Sequence, residues 1–208
     1  MRKMARLFYI YFKELGYIKY ITFVIIMILG LFCRLGEAET TIILKSFEMF
    51  LLPFSAWWII QGFYNYVDES AKEIYLSYPL SRFFSGIFKL VCYYIIFFSL
   101  IITVFLYINR EEVSIIYIIA LLSESLLWIG IGFFLVVFTK NIVLSLGIVW
   151  GYVAIQVLDI DKYFKNICIY FYDINYFSAL ISKIIVIDIL ALFLMLLAQG
   201  RFHKMNLE

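Results

Sequence analysis

Apolar runs long enough to cross a membrane recur along nearly the whole of this chain, and no other feature limits its possible folds so tightly. A hydrocarbon layer of about 30 Å needs roughly 20 helical residues to span it. Six runs near that length occur, at 17–35, 47–66, 84–108, 113–138, 142–158 and 179–198, with polar punctuation between them. Lipid offers the backbone no hydrogen-bond partner, so each run must be a helix or belong to a closed barrel. Barrel strands alternate apolar and polar residues over about ten positions, whereas 93–106 is almost continuously apolar. The expectation is an all-α integral membrane protein with six transmembrane helices in a single domain over 1–208.

Composition agrees, with 65% hydrophobic and 15% charged residues, where soluble domains carry about half and a quarter. Basic residues stay on the cytoplasmic side, so their distribution gives the orientation. With the N-terminus inside, that side holds Arg2, Lys3, Arg6, Lys13, Lys19, Lys72, Arg82, Lys89, Lys140, Arg201 and Lys204. The outer side holds Arg34, Lys45, Arg110, Lys162, Lys165 and Lys183. Eleven against six predicts that both termini lie inside, as an even number of spans requires.

The first sixteen residues do not read as a cleaved signal, because Lys13 and Glu14 interrupt the apolar stretch at 7–12 and no small-residue cleavage site follows. On a helix, Met4, Phe8, Tyr11 and Leu15 share one face and Arg2, Arg6 and Lys13 another, which suits an interfacial helix over 1–16. A basic flank of the first span is the alternative. Cys33, Cys92 and Cys168 are odd in number and lack metal-type spacing, so they read as buried small hydrophobes. One bridge between Cys33 and Cys168, both on the outer side, stays open.

A search for chemistry finds no catalytic constellation. There is no G-x-x-x-x-G-K-[ST] loop to hold ATP phosphates, no H-E-x-x-H helix for zinc, and a single histidine, His203. Glu111 and Glu112 lack the arginine and intramembrane histidines that a CAAX-type membrane protease would place after them. No catalytic residue, metal site, resident cofactor or nucleic-acid partner is expected.

Charge is concentrated in 68–82, between the second and third runs. Ser70 and Glu73 have capping-box spacing, and Ala71, Ile74, Tyr75 and Tyr78 fall on one helical face, opposite the more polar Asp68, Glu69, Lys72 and Glu73. Pro79 should stop this helix, and Ser81 can cap the third span. A solvated hairpin between two spans is the plainer reading.

The order of an acidic pair Asp68-Glu69, a short helix with Glu73, and Leu76-Ser-Tyr-Pro79-Leu-Ser-Arg82 resembles the cytoplasmic coupling segment of ABC-2 type transporter permeases. The usual small or Gly-Thr step before the helix is replaced here by Ser70-Ala71-Lys72. The resemblance covers span number, orientation and the N-terminal elbow, but reaches motif level only in this segment. It implies a bacterial plasma-membrane permease without its own ATPase. Two permease copies would work with separate cytoplasmic ATPase subunits that hold ATP and Mg, and Asp68, Glu69, Lys72, Glu73, Tyr75, Pro79 and Arg82 would form the coupling surface. The small size points to a small amphiphilic peptide as cargo, in export or antimicrobial-peptide immunity. A lipid or hydrophobic-compound exporter, and a non-transport immunity or assembly protein, are the alternatives.

Two carboxylates fall deep within spans. Glu124 and Asp188 lie about 16 and 13 Å into the fourth and sixth runs at 1.5 Å per residue. Intramembrane acids are costly enough to be functional candidates, here for a translocation pathway attracting a cationic cargo. The structural alternative is that each is protonated or hydrogen-bonded, to Ser123, Ser125, Gln156 or a hydroxyl of another span. Glu48, near the outer end of the second run, is more easily hydrated and less diagnostic. Pro53 should kink that span. Gly147 and Gly151 have the small-x-x-x-small spacing of close helix packing, expected within the chain first and between copies second. Residues 159–178 interleave Asp159, Asp161, Lys162 and Lys165 with five aromatics, as suits an outer interfacial element or a simple interfacial loop.

Overall fold

The computed structural model describes residues 47–67, 90–99, 115–157 and 177–205, together with Tyr9, Lys13, Tyr17, Tyr20, Val24, Met27 and Ile28. The coupling segment 68–82, Cys33 and Cys168 lie outside the described residues, as do most of the interfacial elements at 1–16 and 159–178. Among the described residues the regular structure is entirely helical. A π-helical turn, Phe47–Leu51, precedes α1, Pro53–Val67. There follow α2, Leu90–Ser99, then α3, Ile115–Thr139, α4, Ile142–Val157, and α5, Phe177–Met205. Two helices, α3 and α5, are long and apolar enough to cross a membrane, and α2 and most of α4 are shorter apolar helices.

Local chemistry explains the breaks. Pro53 has no N–H and a preset φ, so it is placed at the first position of α1, where a missing donor costs nothing. The discontinuity expected of Pro53 is thus a π turn giving way to an α-helix, with the Ser55 N–H donating to Leu52 O at 2.9 Å. Between α3 and α4 the chain reverses over Lys140 and Asn141. Lys140 adopts the left-handed conformation, φ 51°, that ends many helices, and its N–H donates to Val136 O at 3.1 Å. Asn141 Oδ1 then caps α4 by accepting from the Leu144 N–H at 3.1 Å. The Thr139 and Ser145 hydroxyls meet at 2.8 Å across this hairpin.

Helix α1 is the most enclosed element. Leu52, Ala56, Trp58, Ile59, Ile60, Phe63 and Val67 are all buried, against α2 on one side and α3 on another. Tyr93 of α2 covers Gly62, and Phe97 meets the Trp58 ring edge-on at 4.9 Å. The closest approach is between α1 and α3, where a Cβ on Gly132 would stand 2.7 Å from Ala56 O. Gly130, two residues earlier, faces Ala191 of α5 in the same way at 3.0 Å. Small residues let backbones approach, and in lipid this dispersion contact is a main source of helix association.

Gly130 and Gly132 make the close helix approaches, and among the described residues a Cβ at Gly147 or Gly151 of α4 meets nothing within 4 Å. Helix α5 extends beyond the expected span to Met205, with Phe202 in the Phe63, Tyr66 and Phe133 ring cluster and Arg201 stacked 4.7 Å over Phe138.

Candidate functional site

The sequence singles out Glu124 because a carboxylate in an apolar run is anomalous, and the fold places it at the most enclosed point of α3. It is fully buried, next to Ser123 and Ser125, which are also buried. Its partner is none of the side chains expected from the sequence. Trp128 Nε1, one turn further along α3, donates to Glu124 Oε1 at 3.3 Å. This i, i+4 pair was open to reading from the sequence, since residues four apart share a helix face. The Ser125 hydroxyl donates instead to Leu122 O at 2.7 Å, and the Ser55 hydroxyl bridges α1 towards α3, to Leu52 O at 2.7 Å and Ser125 O at 3.4 Å.

Glu124 Oε2 is buried with no hydrogen-bond partner. Its charged neighbours are Glu48 and Lys183. Glu48 is 2% exposed, which corrects the expectation of a hydrated acid near a span end: the π turn carries it into the protein. Lys183 approaches from α5 and is half-buried. Glu48 and Lys183, on two other elements, thus contribute to the electrostatic surroundings of Glu124.

Helix α4 adds an amide. Trp128 and Tyr152 lie twelve residues to either side of Lys140, and their rings meet at 5.7 Å, which sets the register of the antiparallel α3–α4 pair. One turn further from the hairpin on each helix come Glu124 and Gln156, sixteen residues to either side. Gln156 is 1% exposed, and its Oε1 has no hydrogen-bond partner either. Two orphaned acceptors thus occupy the same level of adjacent helices. Buried polar atoms are paired in over nine cases in ten, so two at one level call for an explanation.

Asp188 is in different surroundings. It is half-buried on α5, with one carboxylate oxygen buried and unpaired. Pro53 stands at the start of α1, five residues from Glu48, and Gly147 and Gly151 line an open face of α4. Among the described residues no three His, Cys, Asp or Glu side chains cluster to hold a metal ion. Cys92 is a free, buried thiol. No family model, no curated protein and no solved structure matches the chain.

Proposed function

We propose that this chain is the membrane permease subunit of an ATP-driven exporter of the ABC-2 type, with six spans and both termini inside. The feature that supports this reading is the sequence adjacency of α1 to the charged segment. Val67, the last described residue of the enclosed helix α1, directly precedes Asp68, so a coupling surface at 68–82 would be joined to the core through that helix. A separate ATPase subunit bound at Glu69, Lys72, Glu73 and Arg82 would drive the permease, which does no bond chemistry itself. Two copies of the chain would form the transport unit, and a small amphiphilic peptide is the preferred cargo over a lipid or other hydrophobic compound. Glu124 and Asp188 are the acids proposed to act on a cationic cargo.

A second reading draws on the apolar faces of α4 and α5 that no described residue covers. It is a membrane protein that sequesters a peptide against that surface without transport. Purification from host membranes separates the two. The permease should carry an ATP-hydrolysing subunit that is lost when Glu69 and Glu73 are both changed to Lys, while the variant still elutes as a folded membrane protein. Protection against a peptide that persists without any ATPase partner overturns the permease.

A further inference from the structure

The end of the bundle where α1, α3 and α5 finish together carries positive charge on an exposed surface. Phe202 sits among Phe63 and Tyr66 of α1 and Phe133 of α3, which fixes the last turns of α5 beside those helices. Arg201, the residue before it, stands 4.7 Å over the Phe138 ring, which is itself stacked on Phe134 at 4.3 Å. That contact orders the guanidinium while the side chain stays exposed. Lys204, one turn further along α5, is exposed as well. The nearest acid before them on α5, Asp188, is thirteen residues from Arg201, about 20 Å at 1.5 Å per residue. Helix α3 has no acid between Ser125 and Thr139, and α1 and α4 have none at all.

The surface leading to these two cations is apolar and also exposed. Phe193, Leu197, Gly200 and Lys204 recur at helical spacing in one stripe of α5, with Arg201 at its edge, and all five are exposed. Gly200 presents no side chain, and among the described residues nothing lies within 4 Å of a Cβ added there, so the stripe is open up to the cations. From Phe193 to Lys204 it runs eleven residues, about 16 Å. That is half of a hydrocarbon layer of about 30 Å, the depth of one leaflet. An apolar track of that length ending in two positive charges is complementary to an acyl chain that ends in an anionic headgroup. We propose that this stripe of α5 binds an anionic phospholipid, its acyl chain along Phe193 and Leu197 and its phosphate on Arg201 and Lys204. Arginine suits the phosphate because its planar fork donates two parallel N–H bonds to it, and basic sites at the cytoplasmic ends of membrane helices bind such headgroups. The inference rests on α5 crossing the membrane and goes beyond the permease reading, which assigns no lipid to this face.

The test uses the full chain purified in detergent and titrated with phosphatidylglycerol or phosphatidylcholine, with lipid retention read by native mass spectrometry. Phosphatidylglycerol should bind more tightly by roughly tenfold or more, and Lys204→Gln should cut that preference about fivefold, the scale of one basic residue at an anionic surface. Changing Arg201 and Lys204 together to Gln should abolish it. A phosphatidylglycerol with a photoactivatable group in its acyl chain should crosslink within 193–200. Should the double variant fail to fold through loss of the Phe138 stack, Lys204→Gln carries the test, since its side chain is exposed. Equal retention of the two lipids, as when acids at 68–73 already neutralise the cations, overturns the proposal. So do crosslinks confined to other helices, and a lipid preference unchanged in a folded variant that loses a bound protein instead. No ATPase and no cargo enter the measurement, so its failure leaves the permease reading standing, and failure of that reading leaves the lipid site standing.

Discussion

Helices α3 and α5 are the two elements long and apolar enough to cross a bilayer, yet 67% of the most apolar stretch of α3 is enclosed by protein and only 17% of that of α5. Hydropathy marks both for the membrane and says nothing of which one the bundle is built around. The difference lies in the small and polar residues. Helix α3 carries Ser123, Glu124, Ser125, Gly130 and Gly132 within ten residues, whereas α5 turns Ile185, Val186, Ile189, Leu192, Phe193 and Leu196 outward. Apolar bulk gains little by leaving lipid for a protein interior, while small residues allow close contact and polar ones require it. The central helix of a membrane bundle is therefore marked by the residues that look least suited to lipid.

The sharpest way to break this contrast is a matched pair of glycine substitutions. Gly132→Val should cost about 3 kcal/mol or abolish folding, because the new Cβ would meet the Ala56 backbone, which has no flexible end to move aside. Gly200→Val on α5 should stay within about 0.5 kcal/mol, since among the described residues nothing lies within 4 Å of a Cβ added there. Unfolding in detergent, followed by tryptophan fluorescence, reads both. Similar losses at the two sites would show that α5 is as enclosed as α3.

Leucine truncation should give the next largest separation. Leu127→Ala, at a side chain 1% exposed in the α3–α5 contact, should cost about 2 kcal/mol, and Leu196→Ala, 71% exposed, almost nothing in detergent. A smaller effect sharpens the polar half of the comparison. Trp128→Phe removes the only donor to Glu124 among the described residues and should cost about 1–2 kcal/mol, whereas Asp188→Asn on α5 should cost less than half as much because that side chain is partly open. Equal costs would mean that the α3 carboxylate gains nothing from its indole. A further loss is expected at the hairpin that ties α3 to α4: Asn141→Ala should cost about 1 kcal/mol with its cap. Amide exchange should then quicken in the first turn of α4 and leave α5 unchanged.

Glu124 was legible as a candidate because a charge in an apolar run is unusual whatever surrounds it, but its partner was not: Gln156 or a serine was expected, and the Trp128 indole is found. Neither was the burial of Glu48. Its place near the end of an apolar run suggests hydration, and only the π turn reveals that it faces inward. Gly147 and Gly151 show the converse. Their spacing is the one associated with helix contact, but spacing describes what a face permits, and that face of α4 has no partner among the described residues.

By itself the sequence determined that the elements are helices, that α4 starts at Ile142, and that the chain breaks at Pro53 and reverses near Lys140. These are local matters: lipid leaves the backbone only internal hydrogen bonds, and proline and the Asn141 cap act on their immediate neighbours. The tertiary structure alone decided which helix is central, which glycines touch, how far α5 extends, and which acids share an environment. Runs that are apolar on every side carry no stripe to distinguish a protein-facing side from a lipid-facing one, so those choices appear only when backbones are brought within contact distance.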